Sequence, residues 1–253
     1  MTSIASAQNP RLKALRRLHT RRERARQGRF VAEGEDLVAA AVLAGREPVE
    51  GFRLEGSGLG GAGFHDVERE ALAAVSALGS GTRVIGVYEQ RWSAPAGPLC
   101  VYLHEVGDPG NVGTVLRAAQ AFGSPCVALG PRCADPYSPK AVRASMGAIF
   151  AVALARVDDI EALPRPRVAL LAGAPTPLWD LAGESPGSLL VGAERVGLPA
   201  DLVGACERNA AIPVRTESLN AAMAATVALY EVTRGATAHA VPSRNRSSRV
   251  RAS

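Results

Sequence analysis

The chain has 253 residues, 47% of them apolar and 21% charged, with a formal net charge of +5. That is enough apolar material for one large or two modest cored domains and excludes a disordered chain; no apolar run approaches the roughly 20 residues of a membrane-spanning helix. Charge is unevenly placed: residues 1–30 hold nine basic side chains against Glu23 alone, residues 240–253 hold Arg244, Arg246, Arg249 and Arg251 with no acid, and the stretch between carries net −7.

Positive charge at both ends suits a polyanionic partner, most simply nucleic acid. In chain order, Asn9-Pro10 punctuates the start, and a basic amphipathic helix is predicted from about Arg11 to Arg26, with Leu12, Leu15 and Leu18 on one face. Arg11, Lys13, Arg16, Arg17, Arg21 and Arg22 of this run are the candidate nucleic-acid contacts. Phe30–Gly34 reads as a short strand ending in a turn, and 35–45 as a helix stopped by Gly45. A glycine-rich loop covers 56–63, and helix and strand signals alternate up to about Val87. Residues 93–98, Ser-Ala-Pro-Ala-Gly-Pro, read as a linker. The expected organisation is therefore an N-terminal domain over 1–95, a second domain over 96–239 and a basic disordered tail over 240–253.

Beyond the linker the pattern is β/α. Strands are predicted at Leu99–Leu103, Pro125–Leu129, Val168–Ala172, Ser188–Val191 and Ala210–Pro213, with helices at Asn111–Phe122, Lys140–Met146 and Ser218–Arg234. Short apolar strands between helices imply a parallel sheet covered on both faces. Cys100, Cys126, Cys133 and Cys206 form no CxxC pair, and no His sits at metal-ligand spacing. No metal is expected; reduced, mostly buried thiols in a cytoplasmic protein are.

Three polar, glycine-rich turns follow apolar strands, where open α/β sheets bind ligands. In the first, Asp108-Pro109-Gly110-Asn111-Val112-Gly113, the chain turns into a helix with Asn111 as its expected N-cap and Arg117 six residues on. The second, Gly192-Ala193-Glu194-Arg195-Val196-Gly197-Leu198, sets a carboxylate between two glycines that permit close backbone approach. The third, Ile212 to Glu231, caps at Ser218 or a neighbour a helix so uniformly small and apolar that burial or a subunit interface is expected. Singly, each is compatible with an ordinary strand–helix junction.

Together, over about residues 99–235, they resemble the three motifs of the SpoU/TrmH family of SPOUT RNA 2′-O-ribose methyltransferases. Asn111, Gly113 and Arg117 match the first motif, Gly192, Glu194, Gly197 and Leu198 the second, and Ser218, Leu219 and Asn220 the third. The segment from Asn9 to Glu35 is similar to the RNA-binding extension of many members, which has a fold like ribosomal proteins of the L30e/L7Ae type. The resemblance implies an α/β protein whose C-terminal SPOUT domain has a parallel sheet and a deep trefoil knot. It implies S-adenosylmethionine as cofactor, held by Gly192, Ile212, Leu219, Gly197 and Leu198, and a homodimer whose site draws on both subunits. It implies catalytic roles for Arg117, Asn111, Glu194, Ser218 and Asn220. Arg117 would take the 2′-hydroxyl proton with help from a substrate phosphate, or grip that phosphate while another group takes the proton. Asn111 would position Arg117 or the ribose, and Glu194 would orient Arg117 or a neighbouring Asn. His104 and Glu105, just before the first motif, are further base candidates, though a strand-end role is simpler.

The expected substrate is RNA, ribosomal (23S) before tRNA. The rival readings are a tRNA methyltransferase and a non-catalytic RNA-binding protein on the same scaffold. A Rossmann enzyme would need a glycine fingerprint that Leu171-Ala172-Gly173-Ala174-Pro175 lacks.

Overall fold

The computed structural model describes residues 3–78, 81–181 and 186–237; the basic tail expected over 240–253 lies outside them. The N-terminal half opens with α1 (Pro10–Arg17) and α2 (Arg21–Gln27). The single helix expected here is thus two. Thr20 starts the second one, its hydroxyl accepting the Glu23 N–H at 3.4 Å. Leu12, Leu15 and Leu18 are buried, as their spacing requires.

Next come β1 (Arg29–Glu33), α3 (Glu35–Leu43), β2 (Glu50–Leu54), β3 (Phe64–Val67), α4 (Arg69–Ala73) and β4 (Val84–Glu89). Gly45 follows α3 at φ +64°, the left-handed stop expected there. The strands form a sheet in the order β1-β4-β2-β3, with β4 antiparallel to both neighbours and β2 parallel to β3.

The C-terminal half comprises β5 (Cys100–Leu103), α5 (Pro109–Ala121), β6 (Cys126–Leu129), α6 (Pro139–Ser145), α7 (Ala148–Ala151), β7 (Ala153–Arg156), β8 (Arg167–Leu170), β9 (Ser188–Val191), α8 (Ala200–Gly204), β10 (Arg208–Ala210) and α9 (Ala221–Thr237). Its six strands form one parallel sheet, ordered β10-β8-β9-β5-β6-β7. Every residue of β5, β6 and β9 is buried, the signature of a sheet covered on both faces. The order reverses beside β5: the chain runs outward through β6 and β7, then returns to place β9 between β8 and β5. Such a switch leaves a crevice beyond the carboxyl ends of the strands.

The two halves meet in an aromatic cluster, with Phe30 and Tyr88 against Tyr137 and Phe150 at centroid distances of 4.8–5.9 Å. Beside it Arg24, only 3% exposed, donates two hydrogen bonds to Asp135 at 2.8 and 2.9 Å and two more to the Leu18 and His19 carbonyls. Arg24 is therefore a structural tie, unlike the exposed arginines around it.

The expectation of an all-round buried final helix needs correcting. Ala221, Ala222, Ala225, Ala228 and Leu229 are buried, but Met223, Val227 and Tyr230 are 58%, 40% and 53% exposed along the opposite face. The strand β7 and the short helices α7 and α8, absent from the sequence reading, are too short to carry a periodicity.

Candidate active site

The first polar turn sets α5. Its N-cap is Asp108 rather than Asn111: Asp108 Oδ1 accepts the Asn111 N–H at 3.0 Å, and Pro109 takes the first helical position. Proline has no N–H to lose there and brings a helical φ, so the cap falls one residue before it. Lys140 Nζ donates to the other Asp108 oxygen at 2.7 Å. Lys140 first, and then the Asn111 N–H, hold the Asp108 carboxyl below its usual range.

Capping by Asp108 leaves the Asn111 side chain free for long-range contacts. Its Nδ2 donates to Glu194 Oε1, and its Oδ1 accepts from Asn220 Nδ2 at 3.2 Å. Asn220 Nδ2 also lies 3.2 Å from Glu194 Oε1. Asn220 Oδ1 meanwhile caps α9, accepting the N–H groups of Ala222 at 2.9 Å and Met223 at 3.3 Å. Three residues, one from each polar turn, thus form a closed amide–carboxylate cluster.

Glu194 rides on a tight loop closed by the Gly197 N–H donating to the Ala193 carbonyl at 2.8 Å. Gly197 sits at φ +71°, which favours glycine. At Gly192 a Cβ would collide with the main chain of Gly197 and Leu198, so only glycine lets the loop fold back on its own stem.

The loop forms one wall of a cavity of about 690 Å³ beyond the carboxyl ends of β8 and β9. Gly192, Gly197, Leu198, Ile212 and Leu219, all expected to hold the cofactor, line it, as do Glu194, Glu217 and Ser218.

Arg117 stands apart. It is exposed, lines none of this cavity and makes no ion pair or hydrogen bond among the described residues. At about 100° per residue it projects roughly a third of a turn away from Asn111. His104 is buried at the end of β5, with the Tyr102 hydroxyl 3.1 Å from Nδ1 and Glu105 Oε1 3.2 Å from Nε2. Burial, and secondarily Arg132, lowers its pKa.

The candidate RNA contacts Arg11, Lys13, Arg16, Arg17, Arg21 and Arg22 are all exposed. Lys13, Arg16 and Arg17 line a shallow concavity of about 390 Å³ on α1, while Arg11 is paired with Glu50 at 2.5 Å. Asp108 and Lys140 escaped the sequence reading; the Asp-Pro step was the available signal for the cap. Among the described residues no group of three or more His, Cys, Asp or Glu is placed to hold a metal, and no helix is long and apolar enough to cross a membrane. The four cysteines are free, and all but Cys206 are buried.

Residues 98–230 match the model of the SpoU rRNA Methylase family. The chain belongs to that family. As a SpoU methylase it is an S-adenosylmethionine-dependent RNA 2′-O-methyltransferase. Residues 9–90 match a second family, the MRM3-like substrate binding domain. The 23S rRNA (guanosine(2553)-2'-O)-methyltransferase RlmP of Bacillus subtilis is 30% identical over 248 residues, 92% of this chain and 99% of its own. The crystal structure of an AdoMet-bound rRNA methyltransferase from Sinorhizobium meliloti gives a TM-score of 0.81 at 30% identity, covering 92% of this chain and 98% of that one. The SpoU methyltransferase AviRb from Streptomyces viridochromogenes, also with AdoMet, has the same fold at 24% identity, with a TM-score of 0.80 over 90% of this chain and 98% of its own.

The cavity suits this methyl donor. Its volume is in the usual range for small-molecule sites. Leu198, Ile212 and Leu219 offer apolar surface to an adenosyl group, Gly192 and Gly197 let backbone come close, and Glu194 and Glu217 suit a cationic sulfonium and amine.

Proposed function

We propose that this SpoU methylase acts on 23S ribosomal RNA, methylating one ribose 2′-hydroxyl at the mouth of the 690 Å³ cavity. The observation that carries the reading is the Asn111–Glu194–Asn220 cluster, whose Glu194 lines that cavity. The bound donor supplies an electrophilic methyl on a sulfonium. The chain's part is to bind, orient and deprotonate. Gly192, Ile212 and Leu219 hold the adenosyl end, with Gly197 and Leu198 shaping the loop over it. Glu194 fixes the amides of Asn111 and Asn220, which position the ribose, and Ser218 completes the rim. Arg117 either takes the 2′-hydroxyl proton with help from the phosphate beside the target ribose, or grips that phosphate while solvent water takes the proton. Orientation and base catalysis supply the rate, the latter typically about 10²–10⁴-fold.

Because Arg117 points away from Asn111 within one chain, we place the working site between two subunits. The exposed Met223, Val227 and Tyr230 face on α9 suits that homodimer. We further read residues 1–95 as a ribosomal-protein-like RNA-binding domain and 96–239 as a SPOUT domain. The insertion of β9 between β8 and β5, with the 192–198 loop folded hard against its own stem, is compatible with the deep trefoil knot. A cytoplasmic setting fits the four free cysteines. The Ile212–Asn220 segment and the basic α1 surface supply the RNA-facing walls.

The test is transfer of a radiolabelled methyl group from S-adenosylmethionine to purified 23S ribosomal RNA, 16S ribosomal RNA and bulk tRNA, with Arg117→Ala alongside. Alkali-stable label in 23S ribosomal RNA, lost by at least about a hundredfold in the variant while donor binding persists, is the expected result. Label in tRNA alone would replace the substrate, and full turnover by Arg117→Ala would remove that residue from the mechanism.

A further inference from the structure

A second cavity, of about 310 Å³, opens where α2 meets the carboxyl ends of β6 and β7. Its walls include Arg21 from α2, Trp92 from the connection between the halves, Arg132 from the turn after β6, and Arg156 and Asp158 from the end of β7. The Arg156 guanidinium lies over the Trp92 ring, 4.0 Å from its centroid. Tyr137 packs edge-on against the same indole, with centroids 5.3 Å apart, so the platform is held in place. Arg21, Arg132 and Arg156 are exposed. Asp135, on the same wall, is already neutralised by buried Arg24 and does not oppose an anion.

Two residues here adopt an uncommon backbone. Arg132 and Glu105 both sit at φ +56°, and they pair with each other. Neither is glycine, and left-handed non-glycine residues gather at binding and switch sites. Glu105 engages one nitrogen of the Arg132 guanidinium, leaving other donors available for a phosphate. The methyl-transfer cluster uses none of these side chains.

Indole and guanidinium planes are what unstacked RNA bases pile onto, and arginine forks match phosphate. We propose that this crevice is a nucleotide pocket for single-stranded RNA. One unpaired base stacks on the Trp92–Arg156 pair, Arg21 and Arg132 hold its flanking phosphates, and Asp158 accepts a hydrogen bond from the base edge. The pocket shares the carboxyl edge of the parallel sheet with the methyl-donor cavity, two to four strands away, or roughly 10–20 Å at ordinary strand spacing. The base it holds is therefore within a few nucleotides of the target. This rests on the RNA substrate proposed above.

Trp92 is its own reporter. The chain has two tryptophans, so Trp179→Phe leaves Trp92 as the sole tryptophan, excited selectively over the tyrosines at the red edge of the absorption band. That protein is titrated with single-stranded adenosine and uridine decamers and with an RNA duplex of equal length. Trp92 emission is expected to be quenched by the single strands, more by adenosine, and left unchanged by the duplex. Adding Arg21→Gln and Arg132→Gln, both on exposed side chains, should weaken single-strand binding roughly five- to hundredfold. In methyl transfer the same double substitution should raise KM for RNA about tenfold with kcat little changed. Single strands that bind without quenching Trp92, or equal binding by the double variant, would overturn the pocket. If RNA is methylated while Trp92 stays silent, the pocket is wrong and the activity stands. If Trp92 responds but 23S ribosomal RNA is not methylated, the pocket stands and the proposed substrate falls.

Discussion

Asn220 works through both ends of one amide. Its Oδ1 caps α9, and its Nδ2 reaches Glu194 and Asn111. Asn220→Asp keeps a good cap but removes the donor and sets a second carboxylate beside Glu194. Thermal stability should be little changed while the methyl-transfer rate falls about a hundredfold, the equivalent of roughly 3 kcal/mol of lost polar interaction. Asn220→Ala should in addition lower stability by about 1 kcal/mol through the lost cap. Thermal unfolding and initial rates on the two variants separate the roles, and an Asn220→Asp protein with full activity would detach the residue from the site. Asn111 shows what sequence alone missed. It reads as a cap, but Asp108 holds that position, and only this release lets Asn111 contact residues 83 and 109 positions away.

At the scale of elements, the cavity wall depends on β8 and β10, which sit at the sheet edge. A charged clamp joins them. Arg167, buried at the start of β8, donates its backbone N–H to Glu207 Oε2 at 2.6 Å and Nη2 to Oε1 at 3.1 Å, and Nη1 to Glu161 at 2.8 Å. The Arg167 side chain first, and then its N–H, draws the Glu207 carboxyl down to about 2. A carboxylate with a folded pKa below its unfolded value stabilises the fold above that unfolded value, 4.5 here, and the contribution drains away as pH falls from there towards 2. Glu207→Gln should therefore lower stability at neutral pH by on the order of 1–2 kcal/mol, discounted because its side chain is 32% exposed, and flatten the acid limb of the stability profile. Urea unfolding from pH 3 to 7 reads both effects; parallel curves for the two proteins would show that the clamp contributes nothing net. The strands of this sheet were legible where they are continuous apolar runs, as at β5, β6 and β9. The break between α1 and α2 was not, because Leu18 continues the apolar spacing through it.

Over the whole molecule, the two sheets share an aromatic cluster while the exposed apolar stripe of α9 faces outward. Tyr230 stands in that stripe, packed edge-on to Phe122 at 6.0 Å between centroids. If the stripe is the dimer surface, Tyr230→Glu places a charge where burial costs several kcal/mol. Sedimentation should then report half the native mass, and methyl transfer should collapse with it because Arg117 and Asn111 serve one site only from two chains. A Tyr230→Glu protein that keeps both its mass and its activity would refute the two-subunit site.

The sequence by itself determined the parallel β/α architecture of the C-terminal half, since short apolar runs between helices have few other ways to bury themselves. It also marked the three polar turns, because glycine, amide and carboxylate are conspicuous next to apolar strands, and the buried leucine face of the first helices. It did not determine which side chains meet. Asn111, Glu194 and Asn220 converge because β9 inserts beside β5 and α9 packs against α5, which are pairings between distant segments. For the same reason Arg24 is a buried tie among exposed arginines, and Trp92 meets Arg156. Each depends on contacts across long stretches of chain, which local propensity and spacing do not encode.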